Sequence, residues 1–304
     1  MQDERDKKSS WWKRLFGSNG RADTPQKVEP GLHVIFDSER DDQSHSVAEI
    51  DVVAVHGLNF KGSPDHARTT WTKGDKLWLQ DFLPARLPKP ARVMLFAYNS
   101  SPAIGAAAIQ LDDHAKTLLQ WLNLERQNAP HRPLIFICHS LGGLVVKQAL
   151  IDAKLDESYK LIFDATRLLV FFATPHQGGG LATVGDIAVK IARAVAWKPD
   201  NRLVDALKRG SNEATDRFRQ ARHVFERCLV VNFFEGKPYG LFGIIVGRDC
   251  ATLNLPGLCE KQVAMEADHS AICKFESAGS LACKLVLDTI ATEFERALGI
   301  AQNS

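Results

Sequence analysis

The chain has 304 residues, of which 45% are hydrophobic and 24% are charged. That composition suits a folded protein with a sizeable core and excludes collagen-like, disulfide-dense and wholly disordered classes. With 38 basic residues against 36 acidic ones the net charge is +2, which gives no electrostatic case for nucleic acid as a partner.

Residues 1–30 are polar, rich in charge, Ser and Gly, and broken by Pro25 and Pro30. They predict a flexible leader ahead of one domain over 31–304. Within the leader, Trp11, Trp12, Leu15 and Phe16 lie among Lys7, Lys8, Lys13 and Arg14. Aromatics beside cations suit a membrane interface, so peripheral membrane contact through Trp11 and Trp12 is one expectation. A tail that packs back on the domain is the other. No apolar stretch of signal-peptide length opens the chain, and no run reaches the roughly 18 residues of a membrane span. Cys138, Cys228, Cys250, Cys259, Cys273 and Cys283 form no C-x-x-C pair and no zinc-finger spacing with histidine. Free thiols in the cytosol are expected.

From residue 31 the pattern changes. Short apolar runs at 31–36, 48–55, 91–98, 134–138, 168–173 and 229–234 predict strands, with shorter candidates at 243–246 and 263–265. Runs this short and apolar throughout suit strands buried on both faces. Helical patterns alternate with them at 103–126, 141–153 and 281–298, with a short amphipathic turn or helix at 76–83. Strand alternating with helix predicts a mostly parallel central sheet with helices on both faces. Residues 178–222 fit this alternation poorly. They are too long for a plain connection, and predict either a sheet-covering helix plus one more, or a helical cap insertion over a pocket.

The strongest chemical signal is Phe136-Ile137-Cys138-His139-Ser140-Leu141-Gly142-Gly143-Leu144-Val145-Val146. A strand, a sharp turn and a helix meet at Ser140, the arrangement that lifts a nucleophilic hydroxyl clear of a sheet. Small residues are needed where helix and strand pass closely. Gly142 supplies one, and Cys138 stands where a glycine is more usual. Upstream, Val55-His56-Gly57-Leu58 ends a strand. Gly57 lets the chain turn so that the Leu58 N–H, with the Leu141 N–H at the helix start, can form an oxyanion hole. The base should come last in chain order. Of ten histidines, His269 alone follows the last strand-like run and precedes a helix. His139 adjoins Ser140 but should point elsewhere, while His56 and His176 suit loop support. The acid must lie between Ser140 and His269 at a strand end. Glu235 and Asp249 both qualify, and the pattern alone does not separate them.

Together these residues resemble the lipase-like serine esterases of the α/β-hydrolase fold. The likeness is to domains at the N-terminus of many fungal NOD-like receptors and to the serine-active-site-containing proteins of animals. It rests on Val55-His56-Gly57-Leu58, Thr70-Trp71, the elbow 138–147, Phe172-Ala173-Thr174-Pro175-His176-Gln177-Gly178, Phe233-Phe234-Glu235 and Asp268-His269-Ser270-Ala271-Ile272-Cys273-Lys274-Phe275. The resemblance implies a Ser140–Glu235–His269 triad, with Glu235 preferred as the acid. The apolar stretch 181–197 suggests a lipid or other hydrophobic acyl ester as substrate, and the resemblance adds phospholipid or acylglycerol as candidates; such a mechanism needs neither metal nor organic cofactor. Two other readings stay open: an effector module of an immune-type receptor system, and a pseudo-hydrolase that only binds lipid. The chain carries no G-x-x-x-x-G-K-[ST] pattern, so a nucleotide-binding switch would sit elsewhere.

Overall fold

The computed structural model describes residues 28–42, 45–59, 63–100, 111–176, 184–196, 225 and 227–299. The leader as far as residue 27, Trp11 and Trp12 with it, lies outside the described residues, as does most of the segment 178–222.

Seven strands form one sheet: β1 (Gly31–Asp37), β2 (Ile50–Val55), β3 (Ala91–Ala97), β4 (Leu134–His139), β5 (Thr166–Phe172), β6 (Leu229–Glu235) and β7 (Glu260–Met265). Their order is β1-β3-β2-β4-β5-β6-β7. Only β1 runs antiparallel, against β3, and every other pairing is parallel. The described helices of eight or more residues are α1 (Leu111–Glu125), α2 (Gly142–Leu155), α3 (Val184–Ala196) and α4 (Leu281–Ala297).

The central strands show why an apolar run predicts a strand here. All six residues of β2 are buried. Ile50, Val52 and Ala54 join one core cluster, with Val286, Leu287, Ile290 and Phe294 of α4 and with Ile187 and Ile191 of α3. Val53 and Val55 join the other, with Leu118, Leu119 and Leu122 of α1 and Val145, Val146 and Ala149 of α2. Successive side chains leave a strand on opposite faces, so both faces must be apolar. β7 lies at the sheet edge and alternates burial along Glu260–Met265. Its polar residues need no core.

The described part of the expected insertion, α3, turns Ile187 and Ile191 into the core as a sheet-covering helix. One expectation is narrowed and one corrected. Of residues 76–83, expected as a short turn or helix, Trp78–Asp81 makes one helical turn, while Lys76–Leu77 pairs with Thr72–Lys73 in a small hairpin. Residues 243–246 are a loop, not a strand. The place beside β6 is taken by β7, in register from Val230 opposite Glu260 to Glu235 opposite Met265.

The chain crosses from β2 to β3 on one side and then to β4 on the other. This reversal marks the carboxyl ends of β2 and β4 as the position at which open α/β sheets bind ligands. At the opposite end of β2, Asp51 is fully buried. It accepts from Arg92 Nε at 2.9 Å and Arg132 Nη1 at 3.1 Å, and pairs with Arg126. A carboxylate taken out of water needs such partners. That end of the sheet is closed by structure rather than open to chemistry.

Candidate active site

Ser140 follows β4 with φ +52°. A non-glycine residue in that left-handed region costs on the order of 1–3 kcal/mol, and it persists only where neighbours impose it. The neighbours are on β5 and just beyond it. The Ser140 N–H donates to the Phe172 carbonyl at 2.9 Å, and the Ser140 carbonyl accepts from the Thr174 hydroxyl at 2.9 Å. Gly142 and Gly143 make the turn possible. A Cβ on Gly142 would stand 2.2 Å from the His56 carbonyl oxygen, and one on Gly143 would stand 2.4 Å from Thr174 Oγ1. Cys138 is fully buried among the α1 and α2 side chains, and burial pushes its thiol well above the usual range.

His269 follows β7. Its Nε2 stands 3.0 Å from Ser140 Oγ, and its Nδ1 stands 2.8 Å from Glu235 Oε1. With the proton on Nδ1 donated to the carboxylate, Nε2 is left to accept from the serine hydroxyl. Glu235 ends β6, and its carboxylate also accepts the N–H of Ile245 and of Val246, each at 2.9 Å. This is what the 243–246 segment does instead of pairing in the sheet. Asp249 lies exposed in the short helix Arg248–Ala251. Of the two candidate acids, Glu235 is the one bonded to His269.

The turn at Gly57 abuts the serine: a Cβ there would lie 2.9 Å from Ser140 Cβ. Leu58 comes next, and Leu141 is the residue before α2. Among the described residues, neither the Leu58 N–H nor the Leu141 N–H donates to a backbone carbonyl. Loop 268–275 is tied down from both sides. The Asp268 carboxylate accepts from the N–H of Ser270 at 3.0 Å and of Ala271 at 2.9 Å. The indole of the buried Trp78 donates to the Cys273 carbonyl at 2.9 Å, and the Cys273 thiol to the Thr70 carbonyl at 3.3 Å.

His176 supports its loop as expected, through Nε2 to Asn232 Oδ1 at 2.9 Å. His56 lies stacked on Tyr98 at 4.3 Å, with the Tyr98 hydroxyl donating to its carbonyl at 2.7 Å. His66 stands edge-on to His56 at 5.1 Å. Gly143 and Thr174 lie within the quoted motifs, whereas His66 and the amides of Ile245 and Val246 carry no chemical motif of their own.

Burial, then the neighbouring His66, lowers the His56 pKa to about 3. Burial, then the positive Lys274, lowers that of His66 to about 4. Each imidazole is neutral in the fold but returns to about 6.5 in the unfolded chain. Between those values the unfolded state binds more protons than the native one. Stability is therefore full above pH 6.5 and is lost as pH falls below it, at about 1.4 kcal/mol per pH unit for each such group. Thermal melts at pH 8, 6 and 5 should show a midpoint that drops with each acid step. A midpoint unchanged from pH 7 to pH 5 would contradict the neutral assignment.

All six cysteines are free thiols. Among the described residues no group of three or more His, Cys, Asp or Glu side chains is placed to hold a metal ion, and no helix is long and apolar enough to cross a membrane.

No family model matches the chain. Among curated proteins it is similar to Protein SERAC1 of Bos taurus, 25% identical over 283 residues, covering 86% of this chain and 41% of that protein. It is also similar to Protein SERAC1 of Homo sapiens, 26% identical over 198 residues, covering 57% of this chain and 28% of that protein. The chain thus spans less than half the length of these curated relatives. Among solved structures, the lipase BlEst2 of Bacillus licheniformis in its mature form superposes with a TM-score of 0.55 at 15% identity, over 89% of this chain and 99% of that one. The monoacylglycerol lipase of Paleococcus ferrophilus superposes with a TM-score of 0.50 at 15% identity, over 88% of this chain and 100% of that one. The fold is that of the α/β-hydrolases, as the resemblance implied.

Proposed function

We propose that the protein is a serine hydrolase of carboxylic esters, acting through Ser140, His269 and Glu235. The observation that carries this reading is the pair of hydrogen bonds at 3.0 and 2.8 Å that link serine, imidazole and carboxylate on a strained turn. Serine alone is a weak nucleophile near neutral pH, and an adjacent base within hydrogen-bond reach activates it.

In the proposed cycle Ser140 Oγ attacks the ester carbonyl carbon while its proton passes to His269 Nε2. Glu235, already holding the Nδ1 proton, stabilises the imidazolium that forms. The N–H groups of Leu58 and Leu141 receive the charge that develops on the carbonyl oxygen. The tetrahedral adduct collapses, the C–O bond breaks, and His269 returns the proton to the departing alcohol. Water then attacks the acyl-serine carbonyl, giving up a proton to His269; the bond to Ser140 Oγ breaks as His269 returns that proton to the serine oxygen, and the carboxylic acid leaves. Every step uses side chains and amides of this chain.

The substrate class we propose is a hydrophobic acyl ester. Its support is the lipases among the solved structures of like fold. The first test is labelling of the purified full chain with a fluorophosphonate probe, followed by peptide mapping, alongside hydrolysis of p-nitrophenyl butyrate. Expected are one modified residue, Ser140, and turnover lost in step with labelling. A chain that neither labels nor hydrolyses the ester would overturn the proposal in favour of a lipid-binding pseudo-hydrolase.

A further inference from the structure

His139 is half-buried at the centre of the site, and the cycle above makes no use of it. Its side chain diverges from that of Ser140, as neighbours at a sharp turn do. Its Nε2 stands 2.9 Å from the backbone carbonyl oxygen of His269. The two imidazole rings lie 5.1 Å apart with planes tilted by 46°. The outer flank of His139 meets the indole of Trp71 edge to face at 6.5 Å. On the remaining side its Nδ1 would be 3.4 Å from a Cβ on Gly57. One ring therefore touches the turn before Leu58, adjoins the nucleophile and bonds the base loop.

Neutrality makes the bond directional. Burial, then the neighbouring His269, holds the His139 pKa well below its usual value. A neutral imidazole carries one N–H. The carbonyl at Nε2 can only accept, so the N–H is on Nε2 and Nδ1 is left without a proton. The donor thus points from the elbow to the base loop. The local bonds of that loop, from Asp268 to the amides of Ser270 and Ala271, shape the turn but do not reach the elbow. The His139 bond spans 130 residues of sequence and does. A carbonyl held in place holds its peptide plane and hence the direction of its Cα–Cβ bond. The bonded carbonyl belongs to His269 itself.

We propose that His139 is a positioning residue, whose Nε2–H bond to the His269 carbonyl sets where the imidazole of His269 stands against Ser140. The proposal rests on the esterase reading of the same site. It gives the histidine of the elbow a purpose that a packing residue would not have, since a buried apolar side chain could fill the same space at lower desolvation cost.

The test compares His139→Phe, which keeps a flat ring but has no donor, with His139→Gln, whose amide can donate. Active sites are first counted by fluorophosphonate titration, so that misfolded protein drops out of the rate. Per titrated site, His139→Phe should lose kcat by about 10–100-fold with KM little changed, because a misplacement of about 1 Å can cost on the order of 10²-fold. His139→Gln should recover most of that loss. A second readout needs no turnover. The His269 Nδ1 proton held by Glu235 should give a far-downfield proton resonance in the wild-type chain. It should persist in His139→Gln and broaden or vanish in His139→Phe. Should His139→Phe fail to fold, His139→Ala carries the same comparison. Equal kcat per site in His139→Phe and the wild type, or equal losses in the Phe and Gln variants, would overturn the positioning role. A wild-type chain without labelling or turnover would instead fail the parent reading. The proton resonance then decides whether His139 orients His269.

Discussion

Ser140→Ala is expected to abolish fluorophosphonate labelling and to lower kcat for p-nitrophenyl butyrate by on the order of 10⁴–10⁶. The proposed chemistry begins at one oxygen, and among the described residues no other hydroxyl is bonded to His269. The fold should survive the change. The turn is imposed by backbone: the Ser140 N–H on the Phe172 carbonyl, and the Ser140 carbonyl under the Thr174 hydroxyl. Alanine keeps both. The left-handed φ of +52° is no worse for alanine than for serine. The measurement pairs the rate with a thermal melt of the same sample. Hydrolysis near the wild-type rate in a folded variant would mean that the nucleophile is elsewhere.

Glu235→Gln should lower kcat by roughly 10²–10⁴, because an amide in place of the carboxylate cannot hold the Nδ1 proton in the same tautomer or balance an imidazolium. Asp249→Asn, at the exposed position in the Arg248–Ala251 helix, should leave turnover within about twofold, as surface changes do. Glu235→Gln carries a second cost. The carboxylate accepts from three donors: His269 Nδ1 and the amides of Ile245 and Val246. A glutamine side chain turns an N–H₂ toward at least one of them. A buried donor left facing a donor costs about 1–3 kcal/mol. The melting temperature of Glu235→Gln should therefore fall as well, while that of Asp249→Asn should not. The reverse ranking in turnover would make Asp249 the acid.

Much of this architecture is written locally. The runs at 48–55, 91–98, 134–138, 168–173 and 229–234 each contain an observed strand or most of one, because a strand buried on both faces has no polar position to spare. The turn at Ser140 is local too. Glycines at 142 and 143 answer a close approach of helix start to strand end, and that crowding recurs wherever a strand, a sharp turn and a helix meet. His269 is placed by order along the chain, since the motif context of a last strand and a following helix occurs once.

The remaining decisions needed the tertiary structure, because they depend on which segment occupies a place rather than on the segment itself. Residues 243–246 are apolar and β-branched enough for a strand, yet β7, with a Lys and a Gln among its six residues, takes the sheet edge. The displaced loop then has free amides, and the buried carboxylate of Glu235 collects two of them. That arrangement separates Glu235 from Asp249, which both follow apolar runs and look alike in sequence. The same holds for His139. Its contact with His269 lies 130 residues away, and nothing local to the elbow announces it. Periodicity and turn chemistry are set by neighbours in the chain. Hydrogen bonds between carboxyl ends of different strands are set by how the sheet is ordered, and only the folded chain brings those ends together.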